Sequence, residues 1–184
     1  NMSYNGNNLE WQRSLGATGH DSIFAIDYSN STGITTVAGI MQSNSLRLGS
    51  HVLSIGKNPK GDNAAFFIAQ IDSSGNWIGG EVAPFDMHGY TYSDPNWYLG
   101  GDMAVAPNGT VYLLGLYDQS IYFTGSSYSL NEYYNNQYFL ATWNSTNGWL
   151  HAENLPLNIN HEAKIALDTN GTLYLVGKCE YNTY

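Results

Sequence analysis

The sequence predicts an all-β fold, and three observations predict it. Apolar segments are short, no window holds a sustained 3.6-residue apolar period with caps at its ends, and 20 Gly with 5 Pro interrupt the 184 residues. Asn-Gly pairs at 108–109 and 170–171 lie between apolar runs, which predicts two-residue hairpin turns because both residue types tolerate the positive φ such turns require. The chain also repeats itself. "VAPNGTVYLLG" (Val105 to Gly115) returns as "ALDTNGTLYLVG" (Ala166 to Gly177), with Ala104, Asn108, Gly109, Thr110, Tyr112, Leu113 and Gly115 falling on Ala166, Asn170, Gly171, Thr172, Tyr174, Leu175 and Gly177, 62 positions on.

A second repeated segment lies between these copies. "FIAQIDSSGNWI" (Phe67 to Ile78) matches "FLATWNSTNGWL" (Phe139 to Leu150) at an offset of 72, and a weaker early copy of the first segment, "FAIDYSNSTGITTVAG", carries Ala25 and Gly39. Each segment reads as two strands about a turn. The strand after the Asn-Gly turn is nearly continuous in apolar residues, so both of its faces are expected to be covered by neighbouring sheets. Four strands per repeat, covered on both sides, predict four-stranded antiparallel blades of β-propeller type.

The phase of the repeat sets the expected order. Residues 8–15 are a closing strand, 20–84 one blade, 98–156 a second, and 163–178 the opening hairpin of a further one, within a single propeller-repeat segment spanning 1–184. That is eleven strands and an incomplete ring, since closed propellers take about four to eight blades. The chain starts at Asn1 and has no signal-like stretch, so it reads as a processed or excised segment.

The strand pairs "NGTVYLLG" and "FFIAQIDSSGNWI" resemble the β-propeller repeats of secreted and surface bacterial and archaeal proteins, the SBBP-type repeats, over about residues 6 to 178. The resemblance implies blades in an extracellular or surface protein and transfers no catalytic residue. The long Tyr-rich loops "HGYTYSDPNWYLG" and "SSYSLNEYYNNQ" depart from the pattern.

Composition narrows the functions. Charged residues make up 11% of the chain, with six Lys plus Arg against 15 Asp plus Glu and a net charge of −9. No basic footprint exists to neutralise phosphates, so neither nucleic acid nor an anionic membrane is an expected partner, and no apolar run is long enough for membrane insertion. Cys179 is the single cysteine and is expected to stay reduced.

No catalytic or cofactor constellation stands out, so the expected function is not enzymatic and no cofactor or metal is assigned. His20, His51, His88, His151 and His161 lack zinc-motif spacing. Asp72 with Ser73, Ser74, Gly75 and Asn76 resembles an oxygen-rich calcium loop but lacks the twelve-residue ligand spacing, and a hairpin turn is the simpler reading. Asp86 with His88, or Asp94 with Asp102, are acid-base pairs that spacing alone does not place in one cleft.

Aromatics carry the remaining candidates. Trp77 and Trp149 recur in register and are expected to be buried between blades, whereas Tyr90, Tyr92, Trp97, Tyr98, Tyr128, Tyr133 and Tyr134 lie in long loops and suit an interface or a sugar platform. Leu9 and Trp11 belong to "NNLEWQRSL", whose phase fits a blade's last strand and which is expected to cover the open edge left by the final hairpin. Sequons occur at Asn1, Asn30, Asn108, Asn144 and Asn170, four of them at predicted turn tips.

Two functions follow. The first is a structural protein of the cell exterior, a surface-layer or filament subunit joined by β-strand addition to other copies of itself or to the rest of a longer chain. The second is a carbohydrate-binding or enzyme-associated propeller whose aromatic loops hold glycans.

Overall fold

A computed structural model describes residues 11–56, 63–86, 100–117, 119–131, 137–156 and 159–179. Among them are fourteen strands and no helix. The chain is all-β, every pairing is antiparallel, and no sheet closes on itself.

The first unit comprises β1 (Ser22–Ser29), β2 (Ile34–Met41), a short hairpin of β3 (Ser45–Leu48) and β4 (His51–Ser54), then β5 (Asn63–Ile71) and β6 (Trp77–Asp86). The second comprises β7 (Gly101–Val105), β8 (Val111–Tyr117), a hairpin of β9 (Ser120–Tyr122) and β10 (Ser129–Asn131), then β11 (Gln137–Asn144) and β12 (Gly148–Asn154). The last is the hairpin β13 (Ile159–Leu167) with β14 (Leu173–Cys179). Strand order is β1-β2-β5-β6 in the first unit and β7-β8-β11-β12 in the second. Both are meanders.

Two features differ from expectation. Each unit inserts a hairpin between its second and third strands, and β9-β10 joins the first sheet through a single pair, Phe85 with Ile121, making that sheet six-stranded. The second unit's sequence therefore completes the first unit's edge. The closing strand expected over 8–15 has no strand in its described part: residues 11–17 are coil, with Leu15 packed on the first sheet's outer cluster. There the Arg13 guanidinium donates to the Gly75 carbonyl in the same chain.

The turns obey one local rule. At 106–110, Ala106 N–H donates to Thr110 O at 2.8 Å and Gly109 N–H to Ala106 O at 2.8 Å; the bonds recur at 168–172 (3.0 and 3.1 Å) and at 72–76 (2.9 and 2.9 Å). Gly109, Gly171 and Gly75 hold φ of 83°, 82° and 78°. The expected two-residue Asn-Gly turn is thus corrected: Asn108 and Asn170 stay at negative φ, and glycine alone takes the left-handed position of a three-residue loop with a bulge. The pairs do join adjacent antiparallel strands, β7 to β8 and β13 to β14.

The sheets pack face to face. Ala38, Ile40, Phe66, Ile68 and Phe85 of the first meet Val111, Leu113, Tyr117, Phe139 and Trp149 of the second in one buried cluster. Phe66 stands edge-on to Phe139 at 5.1 Å between centroids, and Phe123 edge-on to Trp149 at 5.0 Å. Such pairs add about 0.5–1.5 kcal/mol each beyond area burial. Leu114, Leu116 and Tyr138, on the other face of the second sheet, bury against Ala163 and Ile165 of the last hairpin.

A cross-strand pair explains the recurring Gly and Phe. Gly39 faces Phe67 and Gly115 faces Phe139, and at both an added Cβ would come within 2.6 Å of ring carbons, at Gly39 also within 2.1 Å of the Ser22 carbonyl oxygen. The backbone of the second strand can carry a covering ring only where it has no side chain.

Candidate functional site

Because the two units and the last hairpin are equivalent, each position can be compared with and without a neighbour. Pairing places Gly177, Val176, Leu175 and Tyr174 of β14 at the register of Gly115, Leu114, Leu113 and Tyr112 of β8. Leu114 is fully buried under the last hairpin, whereas Val176 is 73% and Tyr174 55% exposed. β8 is hydrogen-bonded on both edges, by β7 and β11; β14 pairs with β13 alone among the described strands. An apolar face and an open ladder edge thus meet at one strand, the arrangement that pairs with added strands.

The opposite end of the stack is also under-covered. Ile26, 66% exposed, pairs with Val37 as the buried Met103 pairs with Leu113 in the second unit. Trp77 and Trp149 hold matching positions, paired with Ile71 and Trp143, yet Trp149 is buried and donates to Val82 O at 3.3 Å while Trp77 is half-buried. Both tryptophans are thus mostly buried at matching positions, Trp149 almost completely and Trp77 less so. A preceding sheet covers Trp149; the β3-β4 hairpin and Leu15 cover Trp77 in part.

Side-chain carboxylates secure the first strands of the three units, which lie beside one another. Asp27 on β1 accepts from Val105 N–H of β7 at 2.8 Å, and Asp102 on β7 accepts from Ile165 N–H of β13 at 2.9 Å. Lys164 adds an ion pair to Asp102 at 3.8 Å. Sequence reasoning considered Asp102 only as half of an acid-base pair with Asp94 and missed Asp27. A strand that begins a repeat with no sheet partner before it was the available signal.

The other candidates fall as follows. Asp72 and Asp168 close their own turns: Asp72 accepts from the N–H groups of Ser74 and Asn76, and Asp168 from those of Asn170 and Thr172. These lone pairs already face donors. The bonds from Asn76 to Asp72, and from Thr172 to Asp168, hold both carboxyls below the ordinary value of 3.8. Asp21 is half-buried, which raises its pKa, yet the Ser43 hydroxyl and the N–H groups of Ser43, Ala17 and Gln42 bring it below that value. It pins the entry to β1 against the end of β2.

A folded-state value below the unfolded one means that each carboxylate stabilises the fold above the unfolded value and that this is lost as pH falls through the lowered one. The amides of Asn76 and Thr172 are accordingly expected to shift in NMR spectra with midpoints below pH 3.8. Asp72→Asn and Asp168→Asn should each abolish the midpoint at its own turn.

Trp11 is half-buried over Gly75, and Tyr128 is packed against the core with its ring 5.8 Å from that of His151. Leu9, Tyr90, Tyr92, Trp97, Tyr98, Tyr133 and Tyr134 lie outside the described residues, as do Asn1, His88 and Asp94. Asn30, Asn108 and Asn170 are exposed and Asn144 half-buried. Asn108 Oδ1 accepts from Thr110 N–H at 3.0 Å and Asn144 Oδ1 from Thr146 N–H at 3.0 Å, so in these two the sequon folds on itself and the side-chain amide nitrogen is left for solvent. Both border a cleft of about 230 Å³ at the turn end of the first and second sheets, lined by Ser29, Thr36, Gln70 and neighbouring polar residues with no charged side chain. Among the described residues no three His, Cys, Asp or Glu side chains gather as a metal site.

No family model matches the chain, and no curated protein or solved structure matches it.

Proposed function

We propose that the chain is a structural protein of the cell exterior, a surface-layer or filament subunit built of propeller-type four-stranded blades and joined to its neighbours by β-strand addition, without catalysis. The carrying observation is β14. A strand with the register and composition of the doubly buried β8 exposes Tyr174 and Val176 and has one edge without a partner among the described strands. Low charge and abundant Gly, Asn, Ser and Thr suit an exterior address, as does the resemblance to SBBP-type repeats. Two repeated meanders, with first strands side by side and bridged by carboxylates, support the blade reading.

Sedimentation and electron microscopy of the 184-residue chain test the proposal. Ordered assemblies are expected to grow with protein concentration, and to grow further when salt screens the net charge of −9. Val176→Asp together with Tyr174→Ser should reduce assembly at least tenfold while the far-UV spectrum is unchanged. A chain that stays monomeric at every concentration and salt would refute the assembly.

The uncharged cleft favours a second reading, binding of a neutral sugar through Ser, Thr, Asn and Gln side chains. It predicts saccharide-dependent NMR shifts at Thr36, Gln70 and Asn144.

A further inference from the structure

The repeat specifies what the open edge of β14 lacks. In the first unit Phe67, Ile68, Ala69 and Gln70 of β5 lie opposite Gly39, Ala38, Val37 and Thr36 of β2. In the second, Phe139, Leu140, Ala141 and Thr142 of β11 lie opposite Gly115, Leu114, Leu113 and Tyr112 of β8. The same four-residue order, aromatic, branched aliphatic, alanine, then a polar side chain, twice meets the same order on the receiving strand. β14 presents Gly177, Val176, Leu175 and Tyr174 at those positions.

We propose that the β14 edge accepts one antiparallel strand from a partner polypeptide, of the pattern Phe-(Ile/Leu)-Ala-(Gln/Thr), with its Phe ring over Gly177 and its Ala opposite Leu175. This deepens the strand-addition reading above and rests on it. Among the described residues β5 and β11, the two segments with that pattern, are each already paired on both edges, so neither of them is the added strand. Main-chain bonds supply affinity in such additions and side-chain pockets supply register. Here the pocket is the missing side chain of residue 177. At both equivalent glycines an added Cβ would stand 2.6 Å from a ring carbon, so any larger residue at 177 excludes the aromatic.

The probe is a synthetic peptide with the sequence of residues 137–144, QYFLATWN, titrated into the isotopically labelled 184-residue chain and followed by NMR. Saturable one-to-one shifts are expected at the Leu173–Gly177 amides. The peptide carrying Phe139→Ala should bind at least tenfold more weakly, and so should the native peptide to the Gly177→Val chain. The Phe139→Ala peptide should regain affinity for the Gly177→Val chain, since the small side chain then accommodates the large one. Absence of shifts in β14, shifts confined to other strands, or equal binding by the two peptides would each overturn the proposal; the last requires no protein variant to fold. Binding in β14 by a chain that never assembles keeps the strand site and removes the structural-subunit function. Assembly that an excess of peptide does not inhibit overturns the site and leaves that function standing.

Discussion

Phe139→Ala is expected to lower the stability of the chain by about 3–5 kcal/mol, the cost of emptying a fully packed aromatic site. Phe139 is fully buried and its ring meets Phe66 at 5.1 Å, Phe123 at 5.7 Å and Tyr117 at 5.9 Å between centroids. It also covers Gly115, so truncation leaves a void on both the sheet-to-sheet and the cross-strand side. Few side chains are there to collapse into it, because glycine has none. Urea denaturation should show a lower midpoint at an unchanged slope. A loss below about 1 kcal/mol would mean that the ring does not join the two sheets.

Gly115→Val should destabilise by about 1–3 kcal/mol or more, by the opposite route of overfilling. An added Cβ would lie 2.6 Å from Phe139 Cζ and 2.9 Å from a Phe66 ring carbon, and the two rings already stand edge-on with centroids 5.1 Å apart. The two substitutions should therefore not add. With Phe139→Ala in place, Gly115→Ala is expected to cost less than in the native chain, because the closer ring is gone and Phe66, 2.9 Å from the added Cβ, can shift into the space it leaves. Equal costs in the two backgrounds would show that the glycine is present for a reason other than the ring.

The repeated Gly and Phe were each legible in the sequence, but not their contact. Asn108-Gly109 and Asn170-Gly171 marked the turns, because turn formation depends on φ preferences of residues adjacent in the chain. The first and last pairs of each unit, β1-β2, β5-β6, β7-β8 and β11-β12, followed the repeat phase for the same reason, each being a hairpin between neighbouring segments, whereas β2-β5 and β8-β11 pair across an inserted hairpin. The turn class was misjudged at Asn108 because Asn-Gly serves both two-residue and bulged loops. Only the Ala106-to-Thr110 closure distinguishes them.

What the sequence by itself determined is the all-β class, the positions of the turns, the strand pairing inside each unit and the equivalence of the units, all set by turn chemistry and apolar pattern within a few tens of residues. The tertiary structure alone decided which equivalent residues are covered. Trp77 and Trp149 share a local context and a register, yet Trp149 is sealed and Trp77 only partly covered, because burial depends on the sheet lying across each face and not on the strand that carries the side chain. The same holds for Leu114 and Val176, one sealed beneath the last hairpin and one open to solvent. It holds too for Asp27 and Asp102, whose partners lie 78 and 63 residues away at strand edges that no local pattern brings together. Strand β14 is the plainest case: its residues repeat those of a core strand, and its role at an open edge comes from the absence of a third paired strand among those described.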